Sequence, residues 1–319
     1  MLKKRVIRTT IKFPQDEKVF LSKDGRFDNF VTMRQDFEVK AFVNVNSSGL
    51  HTAQIKLYNL NDDTSKKIEK AGQLVLLEAG WEGSIGRMFE GKISSVGRTK
   101  PTVSNPDIVT TLFCVSGIDT LQKGIFGETV IFEDLVEFLA KLASRLDLFL
   151  VIDKDIVGAI VNQTFYGDVI SIIKDLSSEF GFDFYITEKN LIVRSTSEKP
   201  SIKTYDPSSG LLDIPVVTEM GVDLKVFLDP FISPGDWFNL DSKFANFQIG
   251  GLEFLDRVRG NQFKTFGRQI NNNRYQGTYR ALEILHFGSS HEDTWESLIK
   301  GQGLYNVQDL ENSKRLSLT

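Results

Sequence analysis

At 319 residues the chain exceeds one ordinary core and falls well short of a large multidomain enzyme, so two or three domains are expected. Hydrophobic residues make up 41% and charged residues 25%, with no long polar or single-residue tract, which excludes wholesale disorder and collagen-like or mucin-like classes. Lys plus Arg (38) against Asp plus Glu (42) gives a formal charge of -4, which argues against a nucleic-acid binder that relies on a globally basic surface. The single cysteine, Cys114, excludes an intrachain disulfide framework and a cysteine-clustered metal site.

The start, Met1 to Arg8, is basic, but polar residues interrupt it before an apolar region develops, so no signal peptide is expected. The longest apolar run, Leu148 to Ile152, is far below the roughly 20 residues of a spanning helix, so no membrane is expected. Phenylalanine is unusually frequent, with 25 Phe against 7 Tyr and 3 Trp, which supplies apolar surface for cores and for subunit interfaces.

In chain order, the first stretch reads as β-structure. Lys4 to Phe13 and Thr32 to Asn46 are rich in Val, Ile, Thr and Phe, and Phe37, Val39, Ala41, Val43 and Val45 alternate as one half-buried face. Ala53, Ile55 and Leu57 repeat the pattern. Asn61 to Ala71 changes period, with Asp62 or Asp63 as expected N-cap, cations at Lys66, Lys67 and Lys70, and Gly72 at C′. Leu74 to Ala79, Arg87 to Val96 and Val109 to Ser116 resume strands, a spacing that suits a small barrel or sandwich.

Between about Thr129 and Ser197 the period becomes helical. Phe132, Leu135, Val136, Leu139, Leu142, Ala143 and Leu146 share one face, as do Val169, Ile170, Ile172, Ile173, Leu176 and Phe180. Each predicted helix leads into a short apolar strand, Leu148 to Ile152 and Phe182 to Ile186. The two halves match at an offset of 34, Leu146 with Phe180 and Ile152 with Ile186, so a helix–strand unit is used twice. From Gly210, strands are expected again at Gly221 to Asp229, Trp237 to Leu240 and Tyr279 to Phe287. Asn246 to Gly277, carrying Arg257, Arg259, Lys264, Arg268 and Arg274, reads as a long insertion, and Ser289 to Thr319 as a tail with one amphipathic segment around Trp295.

The β regions also resemble each other. Ile55 to Leu60 followed by Gly72 to Leu77 parallels Leu224 to Asp229 followed by Gly235 to Leu240. Two look-alike modules per chain would let a trimer present six in a ring.

Searching for catalytic constellations yields none with specificity. Phosphate-loop, zincin, nucleophile-elbow and dinucleotide patterns are absent from the sequence. Ser-x-x-Lys occurs at Ser171–Lys174 and Ser297–Lys300 without companion motifs and reads as helix surface. His286 and His291 near Glu283, Glu292 and Asp293 could form a metal site only if a helix converged them, and a strand-end histidine is favoured; His51 stands alone. Glu78 and Glu82 read as surface charge rather than a glycosidase pair. The sequons at Asn46 and Asn162 mean nothing without secretion. No catalytic, cofactor or metal residue is therefore assigned.

The block Phe37 to Asn61, then Gly72 to Trp81 and Phe89-Glu90-Gly91-Lys92-Ile93, resembles the opening barrel of phage tail baseplate hub proteins. Val217 to Val222, Leu228-Asp229-Pro230, Pro234-Gly235-Asp236, Gly277 to Arg280, His286-Phe287-Gly288 and Trp295 are similar to that family's second barrel. The resemblance covers most of the chain and extends to the N-terminal region of type VI secretion spike proteins. It implies a mainly β protein with α+β character: two similar small β-barrel domains at 1–128 and 199–289 flanking a small α/β domain at 129–198, with an insertion at 246–277 and a tail at 290–319. It further implies a non-enzymatic homotrimer in the virion tail baseplate, assembled in the host cytoplasm. Its duplicated barrels would form a pseudo-sixfold ring adapting a hexameric tail tube protein to a trimeric central spike protein. DNA would only pass through, no membrane would be bound, and other baseplate proteins would meet the 246–277 insertion. The competing readings are a tail-associated peptidoglycan hydrolase and a carbohydrate-binding receptor module with Trp81, Trp237 and Trp295 lining a groove.

Overall fold

A computed structural model of the chain describes residues 4–23, 33–43, 50–69, 72–100, 107–122, 125–218, 221–242, 244–249, 252–257, 263–265, 268–270 and 277–303. Within 244–270 it describes the backbone only. The chain is mostly β with a few helices, and it divides into two compact units. The first comprises 1–196, 228–235 and 284–297, and the second 197–227, 236–283 and 298–319.

The first unit begins with strands β1 (Arg5–Lys12), β2 (Glu17–Lys23), β3 (Gln35–Phe42) and β4 (Thr52–Tyr58), helix α1 (Asp62–Ile68), then β5 (Leu74–Trp81), β6 (Ser84–Thr99) and β7 (Val109–Val115). They hydrogen-bond in the order β3-β4-β7-β6-β5-β1-β2, and each of these pairs is antiparallel. The alternation read from the sequence decides which faces go inward. Ile7, Ile11, Phe37, Val39, Ile55, Leu57, Val75, Leu77, Phe89, Ile93 and Leu112 converge on one core. The N-cap of α1 is Asn61, one residue before the expected aspartates, because its side chain accepts from the Thr64 amide. The helix ends at Ile68 with Glu69 as C-cap, and Gly72, at φ +92°, lies further on, where the chain turns into β5.

The same unit continues with β8 (Ile125–Asp134), α2 (Leu135–Arg145), β9 (Phe149–Ile152), β10 (Ala159–Asp168), α3 (Val169–Phe180), β11 (Phe182–Ile186) and β12 (Asn190–Ser195). The repeat is therefore strand–helix–strand, longer than the helix–strand unit expected. Phe132 belongs to a strand, not to the helix face. The extended backbone of the caps Asp134 and Asp168 (ψ 139° and 133°) ends each strand, and their carboxylates accept from Val136 and Ser171 amides. Strands β8 and β10 pair as an antiparallel ribbon with Ile125 opposite Asp168 and Asp134 opposite Ala159, a register that maps onto itself under the 34-residue offset. Strand β12 pairs antiparallel with β11 and parallel with β9. Leu135, Phe138, Leu139 and Leu142 of α2, Val169, Ile173 and Leu176 of α3, Val130 and Ile160 of the ribbon, and Phe184, Leu191 and Val193 of the sheet form one core.

The second unit contains β13 (Lys203–Tyr205), β14 (Val216–Val217), β15 (Gly221–Phe227), β16 (Trp237–Leu240), β17 (Phe244–Ile249), β18 (Leu252–Arg257), β19 (Phe263–Thr265) and β20 (Arg268–Ile270). It also holds the first half of β21 (Gly277–Ser289) and the second half of β22 (Trp295–Gly303). Its strands run in the order β14-β15-β22-β21-β16, with β13 parallel to β16. Position by position this repeats β3-β4-β7-β6-β5 with β1 beside β5, except that β1 and β5 are antiparallel. Within the expected insertion the chain makes two hairpins, β17 with β18 and β19 with β20, and β17 runs parallel to β14. The expected tail contains β22, which begins at the buried Trp295; a strand backed by paired neighbours does not fray as an isolated amphipathic segment would.

Candidate functional site

The residues with catalytic potential are placed structurally. His286 on β21 lies in the first unit, wholly enclosed, with Nδ1 2.8 Å from Ser297 Oγ, and Ser297 accepts the Asp229 amide at 3.0 Å. The trio superficially resembles a hydrolase triad, but all three side chains are buried, and Ser297 is at 0% exposure, so no substrate reaches the hydroxyl. Burial pushes His286 down to about 4, opposed by Asp229. Burial likewise brings His51 to about 4; its ring stacks on Tyr185 at 4.9 Å and its Nε2 has no hydrogen-bond partner. His291 Nδ1 meets Ser290 Oγ at 2.8 Å. Among the described residues, no three His, Cys, Asp or Glu side chains gather where they could hold a metal ion.

Both Ser-x-x-Lys sites are architectural. Ser171 is held by the α3 cap Asp168, Ser297 is the buried serine above, and Lys300 pairs with Glu283 at 3.0 Å. Glu78 and Glu82 face different cations, Arg8 and Lys23, each at 3.4 Å. Trp295 packs edge-on to Phe37 and Trp81 under the Arg5 guanidinium, and Trp237 is buried, so the three tryptophans do not line a groove. The burial of Cys114 pushes its thiol up to about 12, which leaves it unreactive. The basic side chains of 246–277 lie outside the described residues. Clefts of about 160 and 190 Å³ beside Asp36 and Asp16 fall below the roughly 300–1,000 Å³ of small-molecule sites.

What the first unit does show is stitching. Gln35, at 0% exposure, accepts from Thr9 at 2.7 Å and donates to Phe20 O at 3.1 Å and Ser22 Oγ at 2.7 Å, and its backbone exchanges bonds with Ser290. Arg5 donates to the carbonyls of Glu292 and Asp293 at 2.7 and 3.1 Å, and Arg34 reaches Glu292 at 2.6 Å. Asp36 accepts from Tyr58 and Ser289, both at 2.6 Å, and burial together with that carboxylate raises Tyr58 well above the phenol range. The 289–295 segment is thus fastened to β1 and β3 by charged and amide groups. Sequence reasoning missed this because partners more than 250 residues apart leave no local signal. It also missed the exposed apolar residues of the β8–β10 ribbon, among them Ile125, Ile131, Phe132, Val161 and Tyr166.

A mostly β chain whose second unit repeats the strand order of its first, with buried polar groups serving packing, has the character of a structural assembly protein. Its fold is similar to two solved tail proteins. One, from Neisseria meningitidis MC58, aligns with a TM-score of 0.60 at 8% identity over 93% of this chain and 97% of that one. The other, the 43 kDa tail protein of prophage MuSo2 from Shewanella oneidensis, has a TM-score of 0.53 at 7% identity over 94% and 96%. No curated protein sequence matches the chain. The model of the baseplate hub gp41 family matches residues 19–263, more than half of the sequence, and the chain belongs to that family of phage tail structural proteins. Membership makes it a component of the virion tail. Among the described residues no helix is long and apolar enough to cross a membrane.

Proposed function

We propose that three copies of the chain form the hub ring of a tail baseplate, with two similar β-barrel modules per copy, near 1–128 and 199–289, giving a pseudo-sixfold collar. The collar adapts a hexameric tail tube to a trimeric central spike, and the 246–277 segment faces other baseplate proteins. Assembly takes place in the host cytoplasm before the tail is complete. The observation that carries this reading is the repeated strand order, since two modules of one topology are what a threefold object needs to meet a sixfold one. The modest net charge of -4 suits a channel through which DNA passes without being held, because no excess of cations is available to neutralise phosphates. Function is by shape rather than by chemistry.

Mass by light scattering tests the proposal, with a threefold ring seen in projection by electron microscopy as its second arm. The purified chain is expected as a trimer, alone or once spike protein is added. A monomer under both conditions refutes the hub ring, and clearing of peptidoglycan in a zymogram would restore the hydrolase reading.

A further inference from the structure

The two sheets correspond residue by residue at one corner. Gly72 and Gly235 both precede a strand in the left-handed region, and the residue after each accepts through its carbonyl: Gln73 from the Ile93 amide at 2.9 Å, Asp236 from the Ala281 amide at 2.8 Å. This sets Ile93 of β6 against Ala281 of β21 and makes the stretches beyond them, 94–99 and 282–287, counterparts. Their surroundings differ. Strand β21 starts beside β16 in the second unit and ends in the first unit beside β3, where Gln35 meets Ser290 and the Phe37 ring packs on Gly288, an antiparallel arrangement. Strand β6 starts beside β5, but past Ile93 no described strand covers that edge; only β7 continues, on the opposite edge, as far as Thr99.

An open edge of this kind is a template for another strand, and proteins ordinarily blunt it with lysine or proline. Ser94 to Thr99 contains neither, and Ser94, Ser95, Arg98 and Thr99 are exposed. The bulge between Ile93 and Ser95 lies at the start of the stretch, and from Ser95 the ladder with β7 is regular. The same correspondence identifies the strand that completes it. Strand β3 receives β21, so the counterpart of β3, which is β14, is the strand that receives β6. In the single chain β14 is not bare. Its outer edge holds β17, in parallel, through two residue pairs, Val216 with Asn246 and Val217 with Phe247. Parallel pairing is the weaker kind, and so short a ladder is readily exchanged.

We infer that β17 is a placeholder: it occupies the edge of β14 until a second copy of the chain arrives, and then yields that edge to the 94–99 stretch of the second copy's β6. This rests on the collar reading above and names the contact that closes it. The acceptor edge and the incoming strand are different parts of one chain, so the contact is heterologous and generates a ring rather than a pair. A chain does not make it with itself. A six-module collar turns by about 60° at each step, so the step after β21 on β3 leads from the first module of one copy to the second module of another. A tube or spike protein would carry a matching edge only by coincidence, whereas a second copy carries it by construction.

The test locks the placeholder. Val216→Cys and Asn246→Cys, opposite each other in the β14–β17 register, allow a disulfide that fixes β17 on β14 in the full-length chain, and the buried Cys114 stays out of the chemistry. Mass by light scattering is read oxidised and reduced, under the conditions that give a wild-type trimer. The expected result is the mass of one chain when oxidised and of three when reduced. A trimer in both states overturns the placeholder while leaving the hub ring standing, and a monomeric wild type overturns the ring itself. Should the disulfide fail to form, or the reduced variant also be monomeric, a benzoylphenylalanine photo-crosslinker at Thr99 in the otherwise native chain decides: adducts on 211–218 of a second copy support the exchange. Adducts on 252–257 of a second copy, where β17 and β18 would still be in place, adducts only with co-expressed tube or spike protein, or no adducts overturn it.

Discussion

Acid should weaken the first unit through two histidines. His286 is buried there and His51 half-buried with its Nε2 shut off from solvent, and both are held neutral with burial as the main cause, so each has a pKa of about 4 when folded against 6.5 as the ordinary value. The folded values are depressed, so between pH 6.5 and 4 the unfolded chain binds protons that the folded chain refuses. The stability these rings contribute is complete above pH 6.5 and is lost as pH falls through that window. By linkage the loss between pH 7 and 5 is about 2 kcal/mol per histidine, or about 4 kcal/mol for both, a large share of a typical 5–15 kcal/mol. The Glu188 carboxyl, raised by burial, acts in the opposite direction because its folded form takes up its proton first.

A difference measurement removes that offset. Urea unfolding at pH 7 and pH 5 would be compared for wild type, His51→Phe, which keeps an aromatic ring beside Tyr185, and His286→Asn, which keeps a polar partner for Ser297. Whatever baseline each variant starts from, its loss on acidification should be smaller than that of wild type by about 2 kcal/mol. Parallel pH slopes in wild type and both variants would refute the reasoning, since they would show that the rings are already protonated or solvent-accessible when folded.

Replacing Gln35 with Leu keeps the volume but strands the Thr9 hydroxyl and the Phe20 carbonyl in a buried setting; a loss of about 3 kcal/mol in urea unfolding is expected, and a loss under about 1 kcal/mol would show that water replaces the amide. Gly288→Ala would set a methyl 2.4 Å from the Phe37 ring, so overpacking should cost about 1–3 kcal/mol and lower the melting temperature. Asp134→Ala and Asp168→Ala remove equivalent N-caps, and each should cost about 1 kcal/mol by thermal circular dichroism, with the two losses alike because the caps hold equivalent helices.

Local patterns made part of this legible. Alternation at Phe37 to Ala41 and at Ala53 to Leu57 fixes which face of β3 and β4 is buried, and helical spacing at Leu135 to Leu146 marks α2. What failed was local pattern where apolar side chains stand exposed. Ile131 and Phe132 are apolar and exposed, so they mimic the start of a helical stripe and hide a strand. Strand β22 was missed for another reason: it lies between β21, which ends at Ser289, and β15 (Gly221–Phe227), and the pairing with β15, about seventy residues back in the sequence, leaves no local cue. The polar fastening of 289–295 was beyond reach for the same reason, since Arg5 and Gln35 look like surface residues until the far end of the chain is placed beside them.

The likeness of the two sheets goes deeper than strand order. Gly72 before β5 and Gly235 before β16 occupy corresponding positions and share the left-handed region, with φ +92° and +87°, a conformation that side chains resist. What differs is the connection each glycine ends. Between β4 and β5 the chain makes α1, whereas between β15 and β16 it runs through Pro230 and Pro234 and joins the first unit, where Leu228 enters the core and Pro230 packs on Gly86. A ring adaptor needs this combination: a common frame where six near-equal modules meet a sixfold neighbour, and unlike connections where the true symmetry is only threefold. Two identical modules would leave nothing to define which of the six positions belongs to which copy, and two unrelated ones could not imitate a sixfold surface. The shared frame with divergent links is therefore the feature that the symmetry-matching reading most depends on.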